Sequence, residues 1–346
     1  MNNLQLDCLI IGGGPAGLAA ATYLARFRRR ALVIDAGRSR ANWISSIRNY
    51  PGFPGGISGL QLLGDMHAQA KRFGARIESG TVSAIERSED GFLVTASDRM
   101  FRAATLLIAA GVEDNLPDVP GFSVELIVRD KIRLCPVCDA FEFYGRRIAV
   151  WGEGERSVKE ALFLRTYCDA ITVLVASGNI GASDRERLAA AGVETLEIPV
   201  VRLEEREDGI ALVQTDGRTR RFEGIYLAMG STPRAGLAVA LGAEVNMADC
   251  LLVDAHQETT APGLYSAGDI VDELNQITVA VGHAAIAATA IHNKNRRAAA
   301  RTFVGATPDY SSSGVSQACV RNHCGASAHR LLGDRQRLVT CCGSRS

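Results

Sequence analysis

The sequence carries no excess of charge of either sign. Lys and Arg together number 38, and so do Asp and Glu, so the formal net charge over 346 residues is zero. Proteins bind nucleic acid through a basic surface, and a neutral chain does not support that function. We therefore expect no nucleic-acid partner.

Long apolar runs are also missing. No stretch reaches the roughly 18 uninterrupted apolar residues that a membrane span needs. Residues 8–25 come nearest, but Asp7 precedes them without a basic segment, and the run from Gly12 to Pro15 interrupts them. These features argue against a signal peptide and favour a glycine turn. We expect no membrane partner.

The nine cysteines form no evenly spaced framework of the kind found in secreted, disulfide-rich proteins. Cys135 and Cys138 form the one CxxC pair, so no second CxxC completes a four-ligand zinc site. A single CxxC pair indicates redox chemistry in a cytoplasmic protein without a bound metal. Two alternatives stay open, a zinc site completed by Cys319, His323 and Cys324, and a pair of inert buried thiols.

The composition, 47% hydrophobic and 22% charged, is typical of a globular protein of about two domains. One pattern occurs twice. Residues 7–35 and residues 147–176 each read as strand, glycine turn, helix and strand, and a later strand that ends in small residues follows each copy. The repeat predicts an α/β fold of two nucleotide-binding, three-layer domains with mainly parallel sheets.

The order of the patterns predicts how the domains are connected. The first unit has too few strands to complete its sheet, whereas residues 251–269 and the helical pattern after them need a sheet to pack on. We expect residues 1–117 and 247–295 to form the first domain, with residues 118–246, which carry the close cysteines, inserted as the second. Residues 296–346 lack apolar periodicity and are expected to be a disordered tail.

The glycine turn of the first unit, residues 12–17, fits the pattern GxGxxG directly after a strand. Its first glycine permits a tight turn, its second lets the backbone approach a pyrophosphate, and its third lets the helix pack on the strand. The N-terminus of that helix attracts phosphate. Asp35, at the end of the next strand, is spaced to bind a ribose, and Asp269 stands between a strand and a helix, where it could meet further cofactor hydroxyls. The turn predicts a bound dinucleotide.

The close cysteines stand one helical turn apart, near enough to form a disulfide. If they open a helix, the helix dipole stabilises the thiolate, and the pair can exchange two electrons reversibly. Asp139 is the nearest acid that could protonate the outgoing thiolate.

Together these residues resemble the low-molecular-weight thioredoxin-reductase family over roughly residues 5–293. The motifs are GGGPAG at 12–17, NYPGFPGGISG at 49–59, CPVCD at 135–139 and SAGD at 266–269. The resemblance implies that FAD lies across the first domain and that the CxxC of the inserted domain faces the flavin. It also implies a homodimer, and a rotation of the inserted domain that lets a nicotinamide and the cysteines reach the flavin in turn.

The resemblance also implies roles for individual residues. Those that would hold FAD are Gly12, Gly14, Pro15, Ala16 and Gly17 at the pyrophosphate, Asp35 at the adenosine ribose, Asn49 near the flavin, Ala110 and Gly111 beside the cofactor, Gly268 and Asp269 at the ribityl phosphate, and Gln276 and Ile277 at the isoalloxazine. Cys138 would be the thiol nearer the flavin, Cys135 would attack the substrate, and Asp139 would donate the proton.

The second glycine turn departs from the family. Gly152 and Gly154 keep the first two glycines, but Ser157 takes the third position, and two carboxylates stand beside the phosphate site. The family has paired arginines after the following strand to hold the 2′-phosphate of NADPH, whereas residues 176–179 contain neither an arginine nor an acid. We expect the fold of an NAD(P)H site without the residues that select between NADPH and NADH.

Three functions follow from these patterns. The leading one is a disulfide reductase that passes electrons from NAD(P)H through FAD to the cysteine pair and on to a thioredoxin-like protein. The second is a dithiol oxidase that passes electrons from a small dithiol through FAD to oxygen, because oxidases related to this family also lack the arginine pair. The third is a non-catalytic flavin protein whose cysteines sense redox state.

Overall fold

The computed structural model describes residues 5–176, 180–197 and 199–298. From residue 299 onward the expected tail, with its four cysteines, lies outside the described residues. Residues 177–179, in the segment that stands in place of the arginine pair, lie outside them as well.

The first domain is built on a parallel sheet whose central strand is buried on both faces. Its strands are β1 (Leu6–Ile11), β2 (Ala31–Asp35), β3 (Arg76–Ser79), β6 (Arg99–Ile108) and β17 (Leu264–Ser266), in the order β3-β2-β1-β6-β17. The continuous apolar sequence of β1 is typical of a strand covered on both sides.

Small side chains let the helices of this domain approach the sheet closely. The helices are α1 (Pro15–Arg26), α2 (Gly59–Arg72) and α8 (Ile277–Ala298). Buried alanines of α1 and α8 pack against the sheet in one core cluster. The helix α8 continues past His292, where the helical pattern in the sequence ends.

A β-meander covers the other face of the parallel sheet. It consists of β4 (Val82–Ser88), β5 (Gly91–Ala96) and the first half of β6, all antiparallel. Burial alternates along β5, as expected for a strand with one face on the core. A second core cluster, which includes Phe92 and Val94, lies between the meander and the sheet. The domain therefore has three layers.

The second domain repeats this arrangement. Its strands are β8 (Ile132–Arg133), β9 (Arg147–Gly152), β10 (Ala170–Val175), β11 (Glu194–Leu196), β12 (Val200–Arg206), β13 (Gly209–Gln214), β14 (Thr219–Phe222) and β15 (Gly224–Ala228). The parallel sheet has the order β11-β10-β9-β15-β8, and an antiparallel meander, β12-β13-β14, covers one face. The helices are α3 (Val124–Val128), α4 (Pro136–Asp139), α5 (Gly154–Leu164) and α6 (Ala182–Ala190).

Two chain crossings join the domains as a short antiparallel ribbon of β7 (Val112–Asp114) and β16 (Ser231–Pro233). After the second crossing come α7 (Gly236–Val239) and then β17, which pairs with β6 and so returns the chain to the first sheet. The predicted fold class, two three-layer domains with the second inserted into the first, is confirmed.

One detail of the returning segment differs from the prediction. Residues 251–269 were expected to form two strands, but β17 is the one strand there, and Leu251 and Val253 form isolated bridges.

Among the described residues, no helix combines the length and the apolar character that crossing a membrane requires.

The close approach of α1 to the turn before it gives a test of the fold. A Cβ on Gly17 would lie 1.9 Å from the carbonyl oxygen of Gly12, so Gly17→Ala must displace the helix. We expect this variant to lose roughly 1–3 kcal/mol of unfolding free energy, measured by urea denaturation.

The matched control is Gly64→Ala in α2. A Cβ at Gly64 meets no atom within 4 Å, and alanine favours a helix interior by up to about 1 kcal/mol. The control should be as stable as the parent protein or more stable. Equal stability of Gly17→Ala and the parent would contradict the packing described for α1.

Candidate active site

A cleft of about 690 Å³ opens at the carboxyl ends of β1, β2 and β6 and extends to the inserted domain. This is where open α/β sheets bind their ligands. The residues singled out from the sequence that line it are Gly12, Gly14, Pro15, Ala16, Asp35, Asn49, Ala110, Gly111, Cys135, Cys138, Asp139, Gly268, Asp269, Gln276 and Ile277. The fold thus brings together segments that are far apart in the sequence.

The glycine turn is shaped by contacts that exclude a side chain. Gly12 has a φ of +107°, and a Cβ there would lie 2.3 Å from the carbonyl oxygen of Ala109. Gly17 does not line the cleft, and its closeness to Gly12 makes it a packing residue. The Oδ1 atom of Asp35 accepts bonds from the backbone N–H groups of Gly13 (3.1 Å) and Gly37 (3.0 Å). The carboxylate therefore holds both turns that border the cleft.

An arginine that the sequence pattern did not single out, Arg40, joins two acids at the cleft. Its Nε lies 2.7 Å from Asp114 Oδ2, and its Nη1 donates to Asp269 Oδ2 at 3.1 Å. Burial raises the pKa of Asp114, and the Arg40 guanidinium partly offsets that effect. Arg40 thus ties the ribbon between the domains to the turn after β17.

Cys135 and Cys138 form a disulfide. Cys135 precedes the first residue of α4, and its carbonyl oxygen accepts a bond from Cys138 N at 3.0 Å. Proline follows Cys135 and is suited to the first position of a helix. A disulfide sulfur has no thiolate charge with which to bind zinc, so the structure favours redox chemistry over the zinc alternative.

One side chain of the first domain donates hydrogen bonds to the disulfide among the described residues. Gln276, directly before α8, directs its Nε2 to Cys135 Sγ (3.5 Å) and Cys138 Sγ (3.3 Å). Asn49 Nδ2 donates to Gln276 Oε1 at 2.8 Å. The sequence motifs suggested both Asn49 and Gln276 as cofactor neighbours but did not indicate their bond to each other or to sulfur.

Asp139 is held by two donors from neighbouring strands. Arg133 Nη1 donates to its Oδ2 and Tyr226 OH to its Oδ1, both at 2.8 Å. Arg133 and Tyr226 are register partners on β8 and β15, so their side chains leave the sheet on the same face. Burial raises the pKa of Asp139, whereas both donors lower it. Burial, reinforced by the carboxylate, raises the pKa of Tyr226.

The second glycine turn is formed differently from the first, and Gly152, Gly154 and Ser157 do not line the cleft. A Cβ on Gly152 would lie 2.4 Å from the carbonyl oxygen of Ala228, so close packing accounts for this glycine. Gly154 has a φ of +53° and starts α5. Ser157 is fully buried, and its Oγ donates to the carbonyl oxygen of Gly154 at 2.8 Å.

The arginines near this turn that could substitute for the missing pair have acidic partners. Arg185 lies 2.7 Å from Glu197, and Arg187 lies 2.7 Å from Asp184. The third, Arg156, lines the cleft at 3.9 Å from Glu160. The positive charge of each of these arginines is therefore already partly compensated by the neighbouring carboxylate.

Glu160 is a partly buried acid that sequence reasoning missed. Its Oε2 has no hydrogen-bond partner among the described residues. Burial raises its pKa from the usual 4.5 to about 7, although Arg156 opposes the shift. Because nothing in the pattern of α5 marks this position as buried against the cleft, only the folded chain reveals it.

The pKa of Glu160 predicts how stability depends on pH. Between about pH 4.5 and 7 the folded protein holds a proton that the unfolded chain has released, so rising pH destabilises the fold over this interval. Glu160→Gln removes the effect. Relative to the parent, the variant should gain up to about 3 kcal/mol of unfolding free energy at pH 8 and almost nothing at pH 4.

Urea denaturation at each pH measures the difference, with Glu155→Gln as the control. Glu155 lies on the same helix, but its side chain is 62% exposed, so its loss should change the pH dependence by less than about 0.5 kcal/mol. A parent and a Glu160→Gln variant with parallel pH profiles would contradict the assignment.

The comparisons with known proteins agree with this geometry. The family model described as pyridine nucleotide-disulphide oxidoreductase matches residues 6–284. The thioredoxin reductase of Aquifex aeolicus is 30% identical over 298 residues, which cover 82% of this chain and 92% of the relative. That of Bacillus subtilis is 30% identical over 300 residues, covering 83% and 94%.

Among solved structures, the thioredoxin reductase of Streptococcus pyogenes matches with a TM-score of 0.79 and 28% identity. The match covers 86% of this chain and 100% of that one. The family resemblance seen in the sequence motifs is confirmed, and the chain belongs to the pyridine nucleotide-disulphide oxidoreductase family.

Proposed function

We propose that the protein is an FAD-dependent disulfide reductase of the thioredoxin-reductase type. It passes electrons from NAD(P)H through FAD to the Cys135–Cys138 disulfide and on to a thioredoxin-like protein. The observation that carries this proposal is the disulfide itself, which lines the same cleft as the glycine turn of the other domain.

The cleft fits FAD at the positions expected to hold it. The backbone between Gly12 and Pro15 offers a cradle without side chains, followed by the N-terminus of α1, where N–H groups can bind the pyrophosphate. Both described bonds to Asp35 use Oδ1, which leaves Oδ2 to accept from a ribose hydroxyl.

The other positions named from the sequence complete the proposed site. They are Ala16, Asn49, Ala110, Gly111, Gly268, Asp269, Gln276 and Ile277, with Gly17 supporting the turn from behind. Gly152, Gly154 and Ser157 are proposed to form the nicotinamide nucleotide turn of the inserted domain. Bound FAD would supply the two-electron carrier between that nucleotide and the disulfide.

In the proposed mechanism Cys138 is the sulfur nearer the flavin, and Cys135 attacks the substrate disulfide. Asp139 supplies the proton that the departing thiolate needs. Its raised pKa favours this role because burial keeps a proton on the carboxyl at higher pH than usual. Arg133 and Tyr226 fix the orientation of the carboxyl.

Exposed aromatic side chains beside the disulfide support a protein as substrate. Phe141 is 77% exposed and Tyr144 is 76% exposed, both within the six residues after Cys138. When a partner protein covers apolar surface of this kind, the free energy of the complex is lowered. The homodimer is proposed from the family resemblance, and the cytoplasmic location from the lack of a disulfide framework in the sequence.

The dithiol oxidase remains the second candidate because of the inserted domain. The arginines near its glycine turn are paired with acids, and Glu153 and Glu155 stand at the start of α5, where a phosphate would bind. A weak nucleotide site would favour a dithiol as electron donor and oxygen as acceptor. Turnover of either kind excludes the non-catalytic sensor.

Replacing either cysteine tests the reductase proposal. Cys135→Ser and Cys138→Ser should each abolish NADPH-dependent disulfide reduction while the purified protein stays yellow with bound FAD, because the cofactor is held mainly by the first domain. Cys135→Ser should also leave a free thiolate at Cys138, visible as a long-wavelength charge-transfer absorbance with oxidised flavin.

The outcomes separate the parts of the proposal. The same absorbance in Cys138→Ser instead would reverse the roles of the two sulfurs. Unchanged turnover in both variants would exclude the mechanism, and folded protein that cannot be reconstituted with FAD would exclude the function.

The nucleotide site gives a second prediction. Since residues 176–179 contain neither an arginine nor an acid, and Arg185 and Arg187 are already paired with acids, stopped-flow reduction of the flavin should discriminate between NADPH and NADH by no more than about tenfold, or 1.4 kcal/mol. A preference above roughly a hundredfold for NADPH would contradict it. Reduction by neither nucleotide, together with oxygen-dependent turnover of a small dithiol, would favour the oxidase.

A further inference from the structure

Among the described residues of the first domain, Gln276 is the one whose side chain donates hydrogen bonds to the disulfide. Its Nε2 lies 3.3 Å from Cys138 Sγ and 3.5 Å from Cys135 Sγ. Gln276 precedes α8 in the first domain, whereas both sulfurs belong to the inserted domain. The contact therefore exists only where the two domains pack together.

Asn49 contacts the other end of the Gln276 amide. Its Nδ2 donates to Gln276 Oε1 at 2.8 Å, so the oxygen is occupied and the N–H groups point to the disulfide. An amide turned the other way would bring two N–H donors together at Asn49 and present a carbonyl oxygen to sulfur. The pair from the first domain thus presents a donor, not an acceptor.

A donor at this place favours the reduced cysteines. The sulfur of a disulfide is a weak acceptor, whereas a thiolate carries a full charge and accepts much stronger hydrogen bonds. Reduction takes up two electrons and one proton, breaks the S–S bond, and leaves one thiol and one thiolate. The bond from Gln276 becomes stronger in this step because the charge forms next to its N–H groups.

We propose that Gln276, oriented by Asn49, stabilises the thiolate formed by reduction of the Cys135–Cys138 disulfide and so shifts the equilibrium of the pair toward its reduced form. Gln276 is then a positioning and charge-stabilising residue of the redox pair, in addition to any contact with the cofactor. The stabilisation acts only while the inserted domain packs on the first. The proposal rests on the proposed function for the electron source, but a chemical reductant can test it independently.

The test measures the disulfide equilibrium directly in the FAD-loaded protein. The parent and each variant are equilibrated at pH 7 in a series of buffers that contain reduced and oxidised dithiothreitol in increasing ratio. The dithiothreitol couple supplies or accepts the two electrons. After alkylation, the mass of the peptide that contains both cysteines gives the reduced fraction. The variants are Gln276→Met, which keeps the length of the side chain without donors, and Asn49→Asp, which retains Gln276 but offers its oxygen no donor.

Both variants should require a dithiol to disulfide ratio roughly tenfold higher than the parent for half reduction, the difference between a neutral and a charge-assisted hydrogen bond. In Asn49→Asp the introduced carboxylate attracts the N–H groups of Gln276, so the amide turns its oxygen to sulfur, and the carboxylate itself repels the thiolate in the same direction. Asn275→Ala, which removes an exposed neighbouring amide that has no described bond to the cysteines, is the control and should stay within twofold of the parent.

A second readout separates charge stabilisation from packing. The alkylation rate of the reduced pair against pH reports the pKa of the more reactive thiol, and this pKa should rise by about one unit in Gln276→Met and Asn49→Asp. The proposal would be overturned if, in both variants, the dithiol to disulfide ratio for half reduction stayed within twofold of the parent and the thiol pKa stayed within roughly 0.3 units of it. If the parent disulfide cannot be reduced reversibly at all, it is the proposed function that fails.

Discussion

The proposed chemistry depends on the packing of the two domains against each other, which brings Gln276 within hydrogen-bonding distance of both sulfurs. Electrons can pass between a cofactor held by the first domain and a disulfide held by the second only if the two are packed together. The fold brings this about because the chain returns to the first sheet through β17 and begins α8 directly beside the disulfide. The insertion thus places a residue from late in the sequence opposite cysteines from its middle.

Buried charges stabilise the same arrangement and make it sensitive to disruption. Arg40 pairs with Asp114 in the ribbon between the domains and with Asp269 in the turn after β17. Such a triad lies partly out of water, and the loss of one member would leave an uncompensated charge. Asp139, with Arg133 and Tyr226, forms the corresponding cluster beside the disulfide. Each cluster joins residues that are far apart in the sequence.

Sequence reasoning was most successful where a local pattern carries the physics. The glycine turn at 12–17, the repeated strand-turn-helix order and the CxxC each act within a few residues, and the fold class and the disulfide follow from them. It could not find Arg40, Tyr226 or Glu160. Those side chains acquire their partners only through packing between distant segments, and no spacing in the sequence encodes such contacts.

The central claim is that the flavin and the Cys135–Cys138 disulfide exchange electrons within one protein. An anaerobic titration with dithionite, followed by flavin absorbance and by alkylation of the cysteine pair, measures this most directly. The account predicts uptake of roughly four electrons per chain, two by the flavin and two by the disulfide, and roughly two in Cys135→Ser. Uptake of only two electrons by the parent protein, with the disulfide still intact when the flavin is fully reduced and left to equilibrate, would contradict it.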